Sequence, residues 1–348
     1  MKSNNTCFAA TEGGYTPYEN RPETYIVPVL FLLIFIVGII GNGTLVAIFM
    51  RHHEMRSIPN TYIFSLAVAD LLVLLTCVPF TSIVYTVEYW PWGVVVCKIS
   101  EWAKDVSVGV SVFTLTALSA ERYSIIVNPL KRIQMKPLTV VNALIIWILA
   151  ISLAVPSAVF SRIMSIDILG NQTIPICYPF PDIENYVKYS VITKALVYYV
   201  IPLITISTFY IMMAIRLHSS ANSRLSEIVS TQGTAQTRSR KHVARMVLIF
   251  VLLFFVCFLP QHVFFLWFNL EPCASSIFDD MWSAIKIVGF CLSYFHSCVN
   301  PVALYFISQA FREHFNVYLF CRPRIRSASL RTSARRLTGS FFNFSKTQ

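Results

Sequence analysis

Charged side chains are scarce in this chain: they make up 13% of its 348 residues, while 55% are hydrophobic. Soluble domains carry about 25% charge, so the deficit excludes the two or three water-soluble domains that length alone would allow. The nine cysteines include no CxxC pair and no His/Cys cluster at metal spacing, which argues against a zinc site. Cys77, Cys257, Cys291 and Cys298 lie in or beside apolar runs and read as packing residues. No nucleophile–base set is apparent, so an enzyme is not expected. No two halves of the chain match, as the inverted repeats of many transporters do. The polar stretch before the first apolar run, and the length of that run, do not fit a cleaved signal peptide.

What the chain does have is seven long apolar runs. A helix needs about 20 mostly apolar residues to cross the hydrocarbon core. Residues 25–50, 139–161, 195–215, 246–269 and 287–311 meet that length without a buried charge, and 60–87 carries only Asp70. The third run is apolar over 106–120, and its outer part holds Lys98, Glu101, Lys104 and Asp105. These runs are too long and too uniformly apolar for barrel strands. The expected fold is therefore all-α and integral to the membrane: a seven-helix bundle over 25–308, after an outer tail over 1–24. A short amphipathic surface helix over 309–320 and an inner tail over 321–348 complete the chain.

The net charge of +11 is unevenly placed. The odd-numbered loops and the C-terminal tail hold twenty Lys and Arg against Glu54, Glu121, Glu227 and Glu313, while the other face carries most of the acids. Basic loops stay in the cytoplasm, so the excess is read as topology, with the N-terminus outside, and not as a nucleic-acid footprint. On the outer side Asn4 and Asn171 stand in glycosylation sequons. Cys97 and Cys177 both face an oxidising space and are expected to pair; a second bridge between Cys7 and Cys273 is left open. Cys321, just inside after the amphipathic stretch, suits palmitoylation.

Polar groups inside a bilayer are costly and mark functional candidates. Asp70 is mid-span, with Asn42, Ser111, Ser297 and Asn300 as available partners. An oxygen-rich cluster of this kind, centred on Asp70 and Ser111, suits a small hard cation such as sodium; a hydrogen-bonded knot without an ion is the alternative. Pro79, Pro156, Pro202, Pro260 and Pro301 permit kinks in five spans.

The order and spacing of several motifs resemble the rhodopsin class of G-protein-coupled receptors. They are Gly41-Asn42, Leu66 to Asp70, Trp92-Gly93 before Cys97, Glu121-Arg122-Tyr123, Trp147, Pro202 with Tyr210, Cys257 to Pro260, and Asn300-Pro301. The stretches Ser107 to Ser119 and Ser297 to Tyr305 resemble the bombesin and endothelin group, as does Pro260-Gln261-His262. Trp102 to Ser107 is most similar to the arthropod CCHamide neuropeptide receptors. Three positions depart from the class: Phe258 replaces the helix-six tryptophan, Leu304 precedes Tyr305 where a tyrosine is usual, and Glu121 replaces an aspartate.

The resemblance implies a plasma-membrane receptor for an extracellular, C-terminally amidated peptide. Lys104, Asp105, Gln261, His262, Phe265, Phe290 and Tyr294 are its implied ligand contacts. Phe258, Pro260, Tyr210, Asn300 and Pro301 are the implied activation switch, and Glu121, Arg122 and Tyr123 the coupling end, alongside Arg240 and Lys241. Implied partners are a heterotrimeric G protein of the phospholipase-C branch, arrestin and a receptor kinase, with no cofactor beyond the sodium ion. Opsins hold retinal on a helix-seven lysine; Tyr294 stands there instead. A seven-helix transporter or channel remains the alternative class.

Overall fold

The structure, a computed structural model, describes residues 20–87, 89–127, 135–168, 172–223, 231–274 and 277–320. Asn4, Asn171, Cys7 and Cys321 lie outside them. Ten α-helices and one hairpin form the described residues: α1 Glu23–Arg51, α2 Ile58–Thr76, α3 Val78–Val87, α4 Gly93–Val127, α5 Met135–Phe160, β1 Arg162–Ile168, β2 Gln172–Tyr178, α6 Tyr186–Ala195, α7 Ile201–Ser223, α8 Thr231–Leu270, α9 Asp280–Ile307 and α10 Gln309–Phe320. Seven spans among them are long and apolar enough to cross a membrane.

Inside hydrocarbon every backbone N–H and C=O must be satisfied within the segment, which a helix achieves alone. The faces then sort inside out. Ile36, Val37 and Ile40 on α1, and Leu144, Ile145 and Ile148 on α5, are exposed, as a lipid-facing surface would be. Asn42, Asp70, Ser111, Thr114 and Asn300 are buried in the bundle.

Several spans differ from the apolar runs, three of them for a local reason. The second is two helices, broken at Cys77 two residues before Pro79, whose ring cannot continue the helix without a clash. The fifth starts at Tyr186, nine residues before the expected 195, and is α6 joined to α7 by a π turn over Leu196–Val200. Pro202 follows that turn and supplies no N–H, which favours the wider local hydrogen-bonding pattern. The seventh runs Asp280–Ile307 and not 287–311, with Asp280 and Lys286 on the helix. Charges within a turn or two of a helix end can reach water, so hydropathy cuts these helices short. The hairpin was not expected. It is antiparallel, with Ile163 opposite Cys177, and Trp90 donates its backbone N–H to Pro175 O at 2.7 Å.

Small residues set the close helix contacts. A Cβ on Gly41 would meet Pro301 Cγ at 2.6 Å. On Gly289 it would meet the backbone N of Gln261 at 2.7 Å and the backbone of Pro260 at 3.0 Å. Gly289→Ala must therefore push α9 from α8, and overpacking of this kind costs about 1–3 kcal/mol. Gly43→Ala meets nothing within 4 Å and gains helix propensity of up to about 1 kcal/mol. Thermal melting of the detergent-purified protein is expected to fall for the first and hold or rise for the second. Equal melting of both variants would contradict the close α8–α9 approach.

Candidate functional site

A cavity with about 910 Å³ of empty space, part of it open to solvent, lies between α4, α6, α8 and α9 at the hairpin end. Of the seven expected ligand contacts, Lys104, Asp105, Gln261, His262, Phe265 and Tyr294 line it. Phe290 does not. It stacks on Phe31 of α1 at 5.5 Å and meets Tyr294 edge-on at 5.2 Å.

Lys104 and Asp105, neighbours in sequence, take different partners. One helical turn brings Glu101 onto the Lys104 face, and the two form an ion pair at 2.5 Å. Asp105 points the other way. It accepts hydrogen bonds from Ser157 of α5 and from Lys194 of α6, the latter at 2.6 Å. Lys194 also stands 5.9 Å over the Phe180 ring. Two acids and two bases thus occupy the wall already paired. The Gln261 Oε1 atom is buried without a donor, so it is an acceptor available to an N–H.

The hairpin closes one side. Cys97 of α4 and Cys177 of β2 are disulfide-bonded, and Pro179 and Phe180, just past β2, line the cavity. Burial holds the Tyr178 phenol above its ordinary pKa, with Arg162 opposing the shift. Cys273 is also disulfide-bonded.

Phe258 and His296 also line the cavity; Phe258 packs on Phe254 at 4.6 Å and on His296 at 5.3 Å. Phe254 meets the same histidine edge-on, also at 5.3 Å. The replacement of an indole by a phenyl therefore leaves the aromatic contact and removes only an N–H. Deeper still, Asn300 donates to Asp70 Oδ2 at 2.8 Å, and Asn42 donates to Ser297 O at 2.7 Å. This ties α1, α2 and α9 together. Asp70 Oδ1, Asn42 Oδ1, Ser111 Oγ and Thr114 Oγ1 are buried there without hydrogen-bond partners. A donor set of one carboxylate with hydroxyl and amide oxygens fits a hard cation. Trp147 Nε1 donates to Ser65 Oγ at 2.8 Å and joins α5 to α2.

At the other end of α4, Arg122 Nη2 stands 3.5 Å from Glu121 Oε2, both side chains at least nine-tenths buried. Tyr123 lies 5.8 Å from Phe209, and Tyr210 sits beside Ser119 and near Arg122. Arg240 and Lys241 fall on α8.

Glu101, Lys194, Ser157 and Tyr198 complete the site; of these only Glu101, beside Lys104, was marked by the sequence. One signal was present for Lys194: a buried aspartate in one span needs a counter-charge, and Lys194 is a lone cation bordering another.

The sequence family described as 7 transmembrane receptor (rhodopsin family) matches residues 41–305. The neuropeptide CCHamide-1 receptor of Drosophila melanogaster is 52% identical over 322 residues, which is 90% of this chain and 64% of that protein. A bombesin receptor of Bombina orientalis is 38% identical over 301 residues, 85% of this chain and 76% of the relative. The chain thus spans just under two thirds of the length of the Drosophila relative.

Proposed function

The chain belongs to the rhodopsin family of seven-transmembrane receptors, and from that premise we propose that it is a receptor for an extracellular neuropeptide that activates heterotrimeric G proteins. The observation that carries this reading is the two-ended helix α4. Its Lys104 lines a cavity at the disulfide-tethered end, and its Arg122 pairs with Glu121 at the other. Eighteen residues separate them, about 27 Å along a helix. A ligand in the cavity and a protein at the far end cannot touch, so they communicate through the bundle.

The hairpin end faces outward in this reading, because the basic loops lie at the opposite end. The likeness to CCHamide-1 and bombesin receptors favours a C-terminally amidated peptide, the phospholipase-C and calcium branch, and partners of the arrestin and receptor-kinase type. The cavity accepts the last few residues of such a peptide, and the unpaired Gln261 acceptor suits its N–H groups. Sodium would be held by the oxygens of Asp70, Ser111 and Asn42. It would supply a compensating charge for the buried carboxylate. Glycans at Asn4 and Asn171 and an acyl chain at Cys321 belong to the same membrane topology. The transporter reading lacks any such support: the matched family is one of receptors.

Lys104 is the sharpest test of the ligand site. A charge-assisted hydrogen bond is worth about 1.5–3 kcal/mol, so Lys104→Ala is expected to lower peptide potency roughly 10- to 100-fold with surface expression kept. Its partner is Glu101, so the informative double variant is Glu101→Ala with Lys104→Ala. Calcium release in cells challenged with amidated neuropeptides should stay weak in the double variant. Recovery to full potency would mean that the pair only shapes the wall.

A further inference from the structure

A second cavity lies where α2, α4 and α5 meet, toward the Val127 end of α4. Its walls include Tyr62, Ala117, Glu121, Ser124, Thr139 and Asn142, around about 440 Å³ of empty space. Glu121 is the charged group on this wall. Its side chain is only 4% exposed, yet neither carboxylate oxygen has a hydrogen bond. Arg122 Nη2, at 3.5 Å, is its counter-charge. Tyr62 stands beside both Asn142 and Glu121. A buried carboxylate is held best by hydrogen-bond donors as well as a counter-ion; Arg122 supplies the charge, and the cavity beside Glu121 has room for donors.

We propose that this cavity binds a small organic cation of the primary-ammonium class. Its N–H groups would donate to the free oxygens of Glu121, and its apolar part would lie against Ala117. The site is separate from the peptide cavity. A bound ammonium replaces Arg122 as the counter-charge of Glu121, and two cations beside one carboxylate repel. The ligand therefore binds best when the guanidinium has moved away, and it favours that arrangement. This last consequence rests on the receptor reading, in which Arg122 leaves Glu121 on activation; the binding itself does not.

The test uses the full chain in lipid nanodiscs, with benzylamine as probe and benzyl alcohol as its neutral counterpart. Benzylamine is expected to raise the melting temperature in a saturable way, and benzyl alcohol is not. Ala117→Leu, which fills the cavity, should abolish the benzylamine shift and leave peptide stabilisation intact. Glu121→Gln should weaken benzylamine at least about tenfold, and it decides the matter alone if Ala117→Leu does not fold. Absence of a benzylamine shift, an equal shift with benzyl alcohol, or a shift kept in the folded variants would overturn the proposal. These melts need no G protein. A chain that shows no peptide-driven nucleotide exchange would overturn the receptor reading while still reporting on this cavity. Peptide-driven exchange without a benzylamine shift would overturn the cavity alone.

Discussion

Arg122→Ala is expected to bind peptide at the cell surface with unchanged affinity and to lose G-protein activation. The guanidinium lies about 27 Å along α4 from Lys104, too far to touch a ligand in the cavity. Its nearest charged partner is Glu121, and this pair is the one a coupling protein would have to open. Removing a charged hydrogen-bonding group from a protein–protein contact costs about 1.5–3 kcal/mol, roughly 10- to 100-fold in coupling. The loss can be larger if the released conformation itself depends on the new contact. Radioligand binding and nucleotide exchange on the same membranes separate the two effects. Equal loss of binding in correctly inserted protein would place Arg122 in the structural frame and remove it from coupling.

Breaking the outer bridge should act on the opposite end. Cys97 and Cys177 are 80 residues apart in sequence, and loss of a native disulfide typically costs about 2–5 kcal/mol. The local consequence is more specific than general destabilisation. The bridge holds β2 on α4, β2 leads directly into Pro179 and Phe180 of the cavity wall, and Trp90 is tied to Pro175 of the same strand. Cys97→Ser and Cys177→Ser should each abolish surface expression or peptide binding, and the double variant should be no worse than either. Normal binding by both single variants would mean that the hairpin is held by its other contacts.

The fold was legible because lipid imposes one rule on every span. Runs of about 20 apolar residues leave little choice but a helix, and seven such runs became seven spans. The motif spacing from Gly41 to Pro301 located the buried polar knot, and Asn300 does meet Asp70. What the sequence hid is local. Hydropathy ends a span at its first charge, so Lys194 fell outside the fifth run although it sits on α6 and pairs with Asp105. The cross-helix direction of Asp105 depends on a helical rotation that sequence spacing does not supply. Phe290 is separated from Tyr294 by one helical turn, and the two rings do touch. Both rings pack on Phe31 of α1, and only Tyr294 also lines the cavity. The hairpin carries no run long enough to announce itself in residues dominated by loop composition, and it depends on a long-range bridge to α4.

The most direct measurement of the central claim is guanine-nucleotide exchange by a purified heterotrimeric G protein, with this chain in nanodiscs and amidated neuropeptides of the CCHamide and bombesin types added one at a time. The account predicts that at least one peptide accelerates exchange in a saturable way, that Lys104→Ala shifts its dose response to higher concentration, and that Arg122→Ala abolishes the acceleration while the peptide still binds. Binding of such a peptide to the intact chain with no acceleration of exchange on any G-protein class would contradict it.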